Sequence, residues 1–293
     1  MPTYRVVHHT VFRHAAPAGG AWQMLQLQPR NEAAQECLDF QLELAPEAAD
    51  LDTRSDYFGN VRHFFSIREP HLELAITSLA IVRRDDPRLP LPGLTPAADE
   101  VRARTDEAVL GGAGFALEQY RHPTRNVPFA PEAAALADGL DLGQPLLVWL
   151  EQLGQRFDET YTFDATATDV TTPLAEVLER KRGVCQDFSH LLLSCLRQLG
   201  LPAAYVSGYL LTEPPPGQER LRGADAMHAW VSLHVPDVGW VDYDPTNACL
   251  AGIGHIVVGR GRDYSDLSPT RGVFTGSRSP ALRVGVTVEP VES

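Results

Sequence analysis

The stretch GVCQDFSHLLLSCLRQLGLPAAYVSGYL, residues 183–210, decides how the second half of this chain folds. Phe188, Leu191, Leu192, Cys195, Leu196 and Leu199 recur every three or four residues, which gives one apolar face and predicts a helix beginning at Val184 or Cys185. Gly200-Leu201-Pro202 stops it, and residues 203–211 read as a strand. Cys185 therefore falls in the first turn of a helix. There the positive end of the helix dipole and the unpaired backbone N–H groups favour a thiolate. The same N–H groups can stabilise the oxyanion formed when a carbonyl is attacked. The spacing to Phe188 and Leu192 turns Cys185 towards the buried side. Taken alone, a cysteine is more often a buried structural residue, and Cys37, Cys195 and Cys249 read that way.

Downstream, His228-Ala229-Trp230-Val231 opens a strand over 229–235, and a second strand over 239–243 runs into Asp244-Pro245-Thr246-Asn247. A histidine that titrates near neutrality can take a thiol proton and return it to a leaving group. A carboxylate on its second ring nitrogen would fix the tautomer. Each residue also has an ordinary reading, His228 as a packing residue and Asp-Pro as a turn. The hairpin between them turns at Pro236-Asp237-Val238-Gly239. A two-residue loop would put His228 and Asp244 on opposite faces of the sheet. An odd loop or a bulge would bring them to one face, because side chains alternate along a strand. A last strand is expected over 282–288, and a loop containing Pro214-Pro215-Pro216-Gly217 precedes His228.

Upstream, residues 96–107, 131–138 and 144–157 are rich in Ala and Leu and read as helices. A further helix is expected from Thr172 as N-cap and Pro173 as its first residue to about 182, ended by Gly183. Before them, the run Asp86-Pro87-Arg88-Leu89-Pro90-Leu91-Pro92-Gly93 stops both helix and sheet. It marks a domain boundary near residue 95. Residues 4–12, 22–27, 37–44, 61–67 and 72–82 are rich in β-branched, aromatic and aliphatic residues, and turn signals lie between them, including Phe58-Gly59-Asn60. Leu38, Phe40, Leu42 and Leu44 alternate as one face of a strand would. The fold class expected is α+β. An antiparallel β-sandwich spans 1–95, and a second domain over 96–293 places helices first and an antiparallel sheet after, with the C-terminal strand included.

The 293 residues suit two domains at about 100–200 residues each, and a 44% hydrophobic, 22% charged composition is ordinary for a globular chain. A formal charge of −13 and only short basic runs argue against nucleic acid and anionic membranes as partners. No stretch approaches the ~18 apolar residues of a membrane span, and the N-terminus lacks the pattern of a secretory signal. Four cysteines without CxxC pairs suit reduced thiols and a cytoplasmic location. No Cys, Asp or Glu at ligand spacing accompanies His8, His9 and His14, so no metal is expected. His190 and His234 read as surface residues. The sequence leaves the oligomeric state open.

Residues 183–210, followed by HAWVSLHVPDVGWVDYDPTN from His228 to Asn247, closely resemble the two core blocks of bacterial transglutaminase-like proteins. The family pattern has a Cys at a helix start, a His before Ala-Trp and an Asp in Asp-Pro-Thr-Asn, and Cys185, His228 and Asp244 fill those places in order. The strand-rich N-terminus with Asp56-Tyr57-Phe58-Gly59-Asn60 is similar to the β-sandwich that precedes this core, and Gly261 to Asp266 to a segment that follows it. The resemblance implies a papain-like core in which a helix carrying Cys185 packs on a sheet carrying His228 and Asp244. It implies thiolate attack on a carboxamide or peptide carbonyl, with no metal or organic cofactor, and a thioester resolved by water or by an amine. A cysteine peptidase or amidase acting on a peptide or protein substrate is the leading expectation. A protein-glutamine gamma-glutamyltransferase comes second and a binding module without turnover third. Besides the Cys185 N–H, the Tyr161 hydroxyl or the Gln186 amide would complete an oxyanion hole, although Tyr161 reads equally well as core. Trp230 would wall the site or fill the sheet. The glycine-rich segment 252–276 is expected to contribute a cover over the site.

Overall fold

A computed structural model describes residues 1–212, 227–276 and 280–291. The first half is built of strands: β1 (Thr3–Ala18), β2 (Gly20–Leu25), β3 (Gln35–Ala45), β4 (Asp50–Ser55), β5 (Val61–Ile67) and β6 (His71–Arg84). Helices follow: α1 (Ala98–Leu110), the single turns α2 (Phe115–Glu118) and α3 (Pro131–Ala134), and α4 (Leu146–Thr160). A short parallel pair, β7 (Thr162–Phe163) and β8 (Arg182–Gly183), brackets α5 (Leu174–Arg180), and α6 (Cys185–Gln198) comes next. The remainder is β9 (Ala203–Leu210), β10 (His228–Val235), β11 (Gly239–Asp244), β12 (Cys249–Leu250), β13 (His255–Gly261), β14 (Thr270–Thr275) and β15 (Ala281–Pro290).

Three antiparallel sheets carry the architecture, in the orders β15-β1-β6-β3, β14-β2-β5-β4 and β12-β11-β10-β9-β13. The first two form the sandwich, with Phe12, Leu25, Phe65, Ile67, Leu74 and Ile76 packed between them. β1 and β6 are longer than that sandwich needs. Their far ends bring Tyr4, Val6, Ala80 and Val82 against Tyr209, Ile256 and Val258 of the third sheet. The third sheet buries its opposite face under α6, where Leu192, Leu193 and Leu196 meet Ala229, Val231, Leu233, Val241 and Tyr243.

The local patterns correct several expectations. β15 does not join the sheet of the second half; it pairs with β1 from Tyr4↔Pro290 to Arg13↔Ala281. Its alternation specifies a strand but not a partner, and the exposed edge of β1 takes it. Leu38 leaves the face of Phe40, Leu42 and Leu44, because a bulge between Cys37 and Asp39 flips it outward. β4 carries no apolar periodicity and is exposed throughout, as an edge strand can be. Pro173, not Thr172, is the N-cap of α5, and the left-handed Lys181 rather than Gly183 ends that helix, its N–H bonded to the Val177 carbonyl. Thr172 is turned back instead, accepting the Asp169 N–H. The loop around Pro214 to Gly217 lies outside the described residues. No helix among the described residues is long and apolar enough to cross a membrane.

Candidate active site

Cys185 is the first residue of α6, with Val184 as N-cap in an extended conformation. The terminus is tied from within: Asp187 Oδ2 accepts the Val184 N–H at 2.9 Å and the Thr168 hydroxyl at 2.6 Å. That return path requires Gly183, since a Cβ there would stand 2.7 Å from Asp187 Oδ2. The first helical hydrogen bond runs from Phe188 N–H to the Val184 carbonyl, which leaves the Cys185 and Gln186 N–H groups outside the helical ladder.

The hairpin resolves the register question. β10 and β11 pair from Val231↔Tyr243 to Val235↔Gly239, so the loop is the three residues Pro236, Asp237 and Val238. Asp237 and Gly239 take positive φ values of 66° and 97° to close it. An odd loop places Asp244 across from Trp230, on the face that His228 shares by alternation. His228 Nε2 donates to Asp244 Oδ2 at 2.7 Å. Cys185 stands beside the ring, and both residues line one cavity. The structure thus places Cys185 and His228 on one cavity, with Asp244 bonded behind His228.

Asp244 is fully buried and saturated with donors. Its Oδ1 accepts the N–H groups of Thr246 at 2.9 Å and Asn247 at 3.3 Å, and the Asn247 amide donates to Oδ2 at 2.7 Å. A further donor is His255 Nε2, 3.1 Å from Oδ2. Burial alone would raise the Asp244 pKa; the bonds from His228, His255 and Asn247 outweigh it and hold the carboxyl far below the usual carboxylate range. Burial likewise works against a charged His228, but its bond to Asp244 and the charges of Asp244 and the nearby Cys185 push its pKa up to about 10. His255 Nδ1 accepts the Gly252 N–H at 3.2 Å, which makes Nε2 the nitrogen that donates to Asp244. His228, Asp244 and His255 are also the one group of potential metal ligands among the described residues, their ligand atoms lying within 4.8 Å of one another. Both Nε2 atoms already serve as donors to the carboxylate, so hydrogen bonding accounts for the cluster without an ion.

Other candidates fall elsewhere. Tyr161 packs with Phe157 and Phe188 in a separate apolar cluster and does not line the cavity around Cys185. Gln186 does line it, with its amide directed to the Val170 carbonyl at 3.3 Å. Trp230 is wholly buried behind His228, its indole N–H given to Asp242 Oδ2 at 3.0 Å and its ring edge-on to His255. His190 is no surface residue: it is buried, its pKa pushed down by desolvation to about 4, and its Nε2 accepts the Tyr264 N–H. Segment 252–276 contains β13 and β14, and Tyr264 and Pro269 between them, with Thr270 at the start of β14, line the cavity.

Two features carried no legible signal. His255 is a lone histidine, and only its place at the start of β13, beside β9, brings it to Asp244. Arg260 makes a bidentate pair with Asp242 at 2.7 and 3.0 Å and a second with Glu32 at 2.7 and 2.9 Å. That network ties the third sheet to the loop before β3.

Residues 4–83 match the family described as the bacterial transglutaminase-like N-terminal region, and residues 149–245 match the transglutaminase-like superfamily. An uncharacterized protein of Mycobacterium tuberculosis is 38% identical over 297 residues, spanning 99% of this chain and 93% of that protein. The structure of a candidate cysteine protease from Cytophaga hutchinsonii superposes with a TM-score of 0.74 at 16% identity, covering 100% of this chain and 91% of that one. A protein-glutamine gamma-glutamyltransferase of Pseudomonas aeruginosa is 34% identical over 122 residues, 40% of this chain but 18% of that protein. The chain belongs to the bacterial transglutaminase-like family, and its fold is the α+β fold of transglutaminase-like cysteine proteases.

Proposed function

We propose that this protein is a cysteine-nucleophile amide or peptide-bond hydrolase, with Cys185 as nucleophile, His228 as acid and base and Asp244 as the residue that orients His228. The observation that carries the reading is the 2.7 Å bond from His228 Nε2 to a buried, ionised Asp244, on a ring that shares its cavity with Cys185 at a helix N-terminus. In the reaction the Cys185 sulfur attacks the carbonyl carbon, and the carbonyl oxygen takes the electron pair as an oxyanion beside the free Cys185 N–H. The oxyanion collapses, the C–N bond breaks and His228 gives its proton to the leaving amine. Water then attacks the thioester, passing a proton to His228, and the acid and the free Cys185 thiol are released. His255 acts as a positioning residue through Asp244.

Resolution of the thioester by an amine instead of water would make the same site a gamma-glutamyltransferase, the activity in the name of the Pseudomonas aeruginosa relative. Partition of a pre-formed acyl-enzyme between water and added amine distinguishes the two. All four cysteines are free, and a reducing compartment such as the cytoplasm would keep Cys185 in its reactive form.

The experiment that tests the nucleophile is alkylation by iodoacetamide across pH, followed at each cysteine by mass spectrometry. Selective labelling of Cys185 at about pH 6–7, weakened in His228→Ala, is expected. Cys185 reacting no faster than the exposed Cys249, and unaffected by His228→Ala, would overturn the assignment.

A further inference from the structure

The cavity around Cys185 and His228 has a volume of about 830 Å³, and one of its walls belongs to the N-terminal sandwich. That wall is the inner face of β1 and β15, where Thr10 pairs with Val284 and Phe12 with Leu282. Along β15 the inward-facing row begins in the core: Val288 and Val286 are buried against Tyr209, Ile256 and Val258. Two steps further, on the same face, Val284 is 45% exposed and Leu282 54% exposed, and both line the cavity. Phe163 at 53% and Val170 at 59%, from the segments flanking the Cys185 helix terminus, line it too. Four large apolar side chains, each about half uncovered, thus look into one space shared with the reactive pair. Apolar surface held open inside a concave site marks a place where ligand covers it.

The electrostatics of the wall narrow the ligand class. Among the described residues, the cavity lining includes no Asp, Glu, Lys or Arg. Beneath it His8 is buried, bonded to Tyr209 and Thr10, and kept neutral. The charge of His228 is matched by Asp244, so an ionic side chain bound against Leu282, Val284, Phe163 and Val170 would lose its water and find no unmatched counter-charge among the described lining residues, whereas an apolar one would gain by covering the wall.

We propose that Leu282 and Val284, together with Phe163 and Val170, form a specificity subsite for a bulky, uncharged apolar side chain of a peptide substrate, adjacent to the acyl group that Cys185 attacks. This rests on the reading of Cys185 as nucleophile. It gives the sandwich a direct part in choosing the substrate, through a strand from the far end of the chain.

The test uses the full-length protein and blocked dipeptidyl chloromethyl ketones that carry Leu, Ser or Asp next to the ketone-bearing residue. The Cys185 sulfur displaces chloride to form a thioether, and each second-order rate is read by mass spectrometry as a ratio to the iodoacetamide rate of the same variant. The Leu reagent is expected to exceed the Asp reagent by about tenfold or more, and Val284→Asp or Leu282→Asp to bring that ratio towards one. Val284→Thr keeps the side-chain shape and secures the result if a carboxylate disturbs folding; it is expected to cut the Leu preference about threefold. Equal normalised rates for Leu and Asp reagents, or a preference that survives all three substitutions, would sink the subsite while selective iodoacetamide labelling of Cys185 left the nucleophile standing. Loss of that selective labelling would remove both.

Discussion

The His255 ring donates to Asp244 at 3.1 Å, on the same carboxylate oxygen that His228 engages at 2.7 Å. One buried carboxylate therefore serves two imidazoles with different duties. His228 lines the cavity with Cys185, whereas His255 spends its second nitrogen on the Gly252 N–H. The backbone bond fixes the His255 ring with Nε2 towards Asp244, so it can steady the carboxylate.

Removing that donor should weaken the site without dismantling it. His255→Ala is expected to slow Cys185 alkylation near neutral pH by about tenfold, the loss of about 1.4 kcal/mol from a bond to a charged group. His255→Gln, which can still offer an N–H, should recover most of the rate. If Gln behaves no better than Ala, His255 matters for packing against Trp230 alone.

Arg260 is expected to be the costliest single charge to remove. It lies between Asp242 and Glu32, and Asp242 also accepts from Trp230 and Ser232. Arg260→Met leaves Asp242 without its bidentate cation and Glu32 with Arg30 alone, at 3.2 Å, and breaking a buried pair from one side costs about 3–5 kcal/mol. Urea unfolding measures it. A loss below about 1 kcal/mol would mean that the carboxylates find other partners or take up protons cheaply.

Gly154 should reverse the usual helix rule. Gly→Ala inside a helix ordinarily stabilises by about 1 kcal/mol. Here a Cβ would fall 1.6 Å from the Tyr243 hydroxyl, which is lodged against α4 from β11. Gly154→Ala is expected to destabilise by about 1–3 kcal/mol through overpacking, and Gly154→Ala with Tyr243→Phe to recover part of it. Thermal unfolding of the two variants gives the sign.

The His228–Asp244 pair predicts a pH window for stability. The Asp244 pKa is lowered in the fold, so its contribution is present above its unfolded value of about 3.9 and lost as pH falls through the folded pKa. The His228 pKa is raised to about 10, so its contribution is complete below 6.5 and lost as pH rises towards that value. The stability difference between the wild type and the double variant His228→Gln/Asp244→Asn should peak at about pH 4–6.5, at about 3 kcal/mol, and shrink on either side. A difference that stays level from about pH 5 to 9 would show that His228 does not change its proton affinity on folding.

Much of the molecule could be read directly along the chain. The α6 periodicity, the glycine and proline that stop it, the β-rich first half and the proline run after Arg84 are local patterns. Each depends on neighbours within a few residues, and each reappears in the structure. The positions of Cys185, His228 and Asp244 were equally visible, because a helix start, a strand start and a strand end are local too.

Pairing was not visible, because it depends on contacts between residues far apart in sequence. Whether His228 and Asp244 share a face hung on one residue in the hairpin loop, and the three-residue turn decided it. Whether Tyr161 reached the site was settled by the cluster with Phe157 and Phe188. The alternation over 282–288 specified a strand, but only the free edge of β1 placed Leu282 and Val284 beside the cavity. His255 reached Asp244 because β13 lies along β9. The sequence by itself determined the elements and where along them Cys185, His228 and Asp244 fall, since hydrophobic period and capping act over a few residues. The tertiary structure alone decided what surrounds them, since strand register and sheet packing join residues as far apart as Thr10 and Val284.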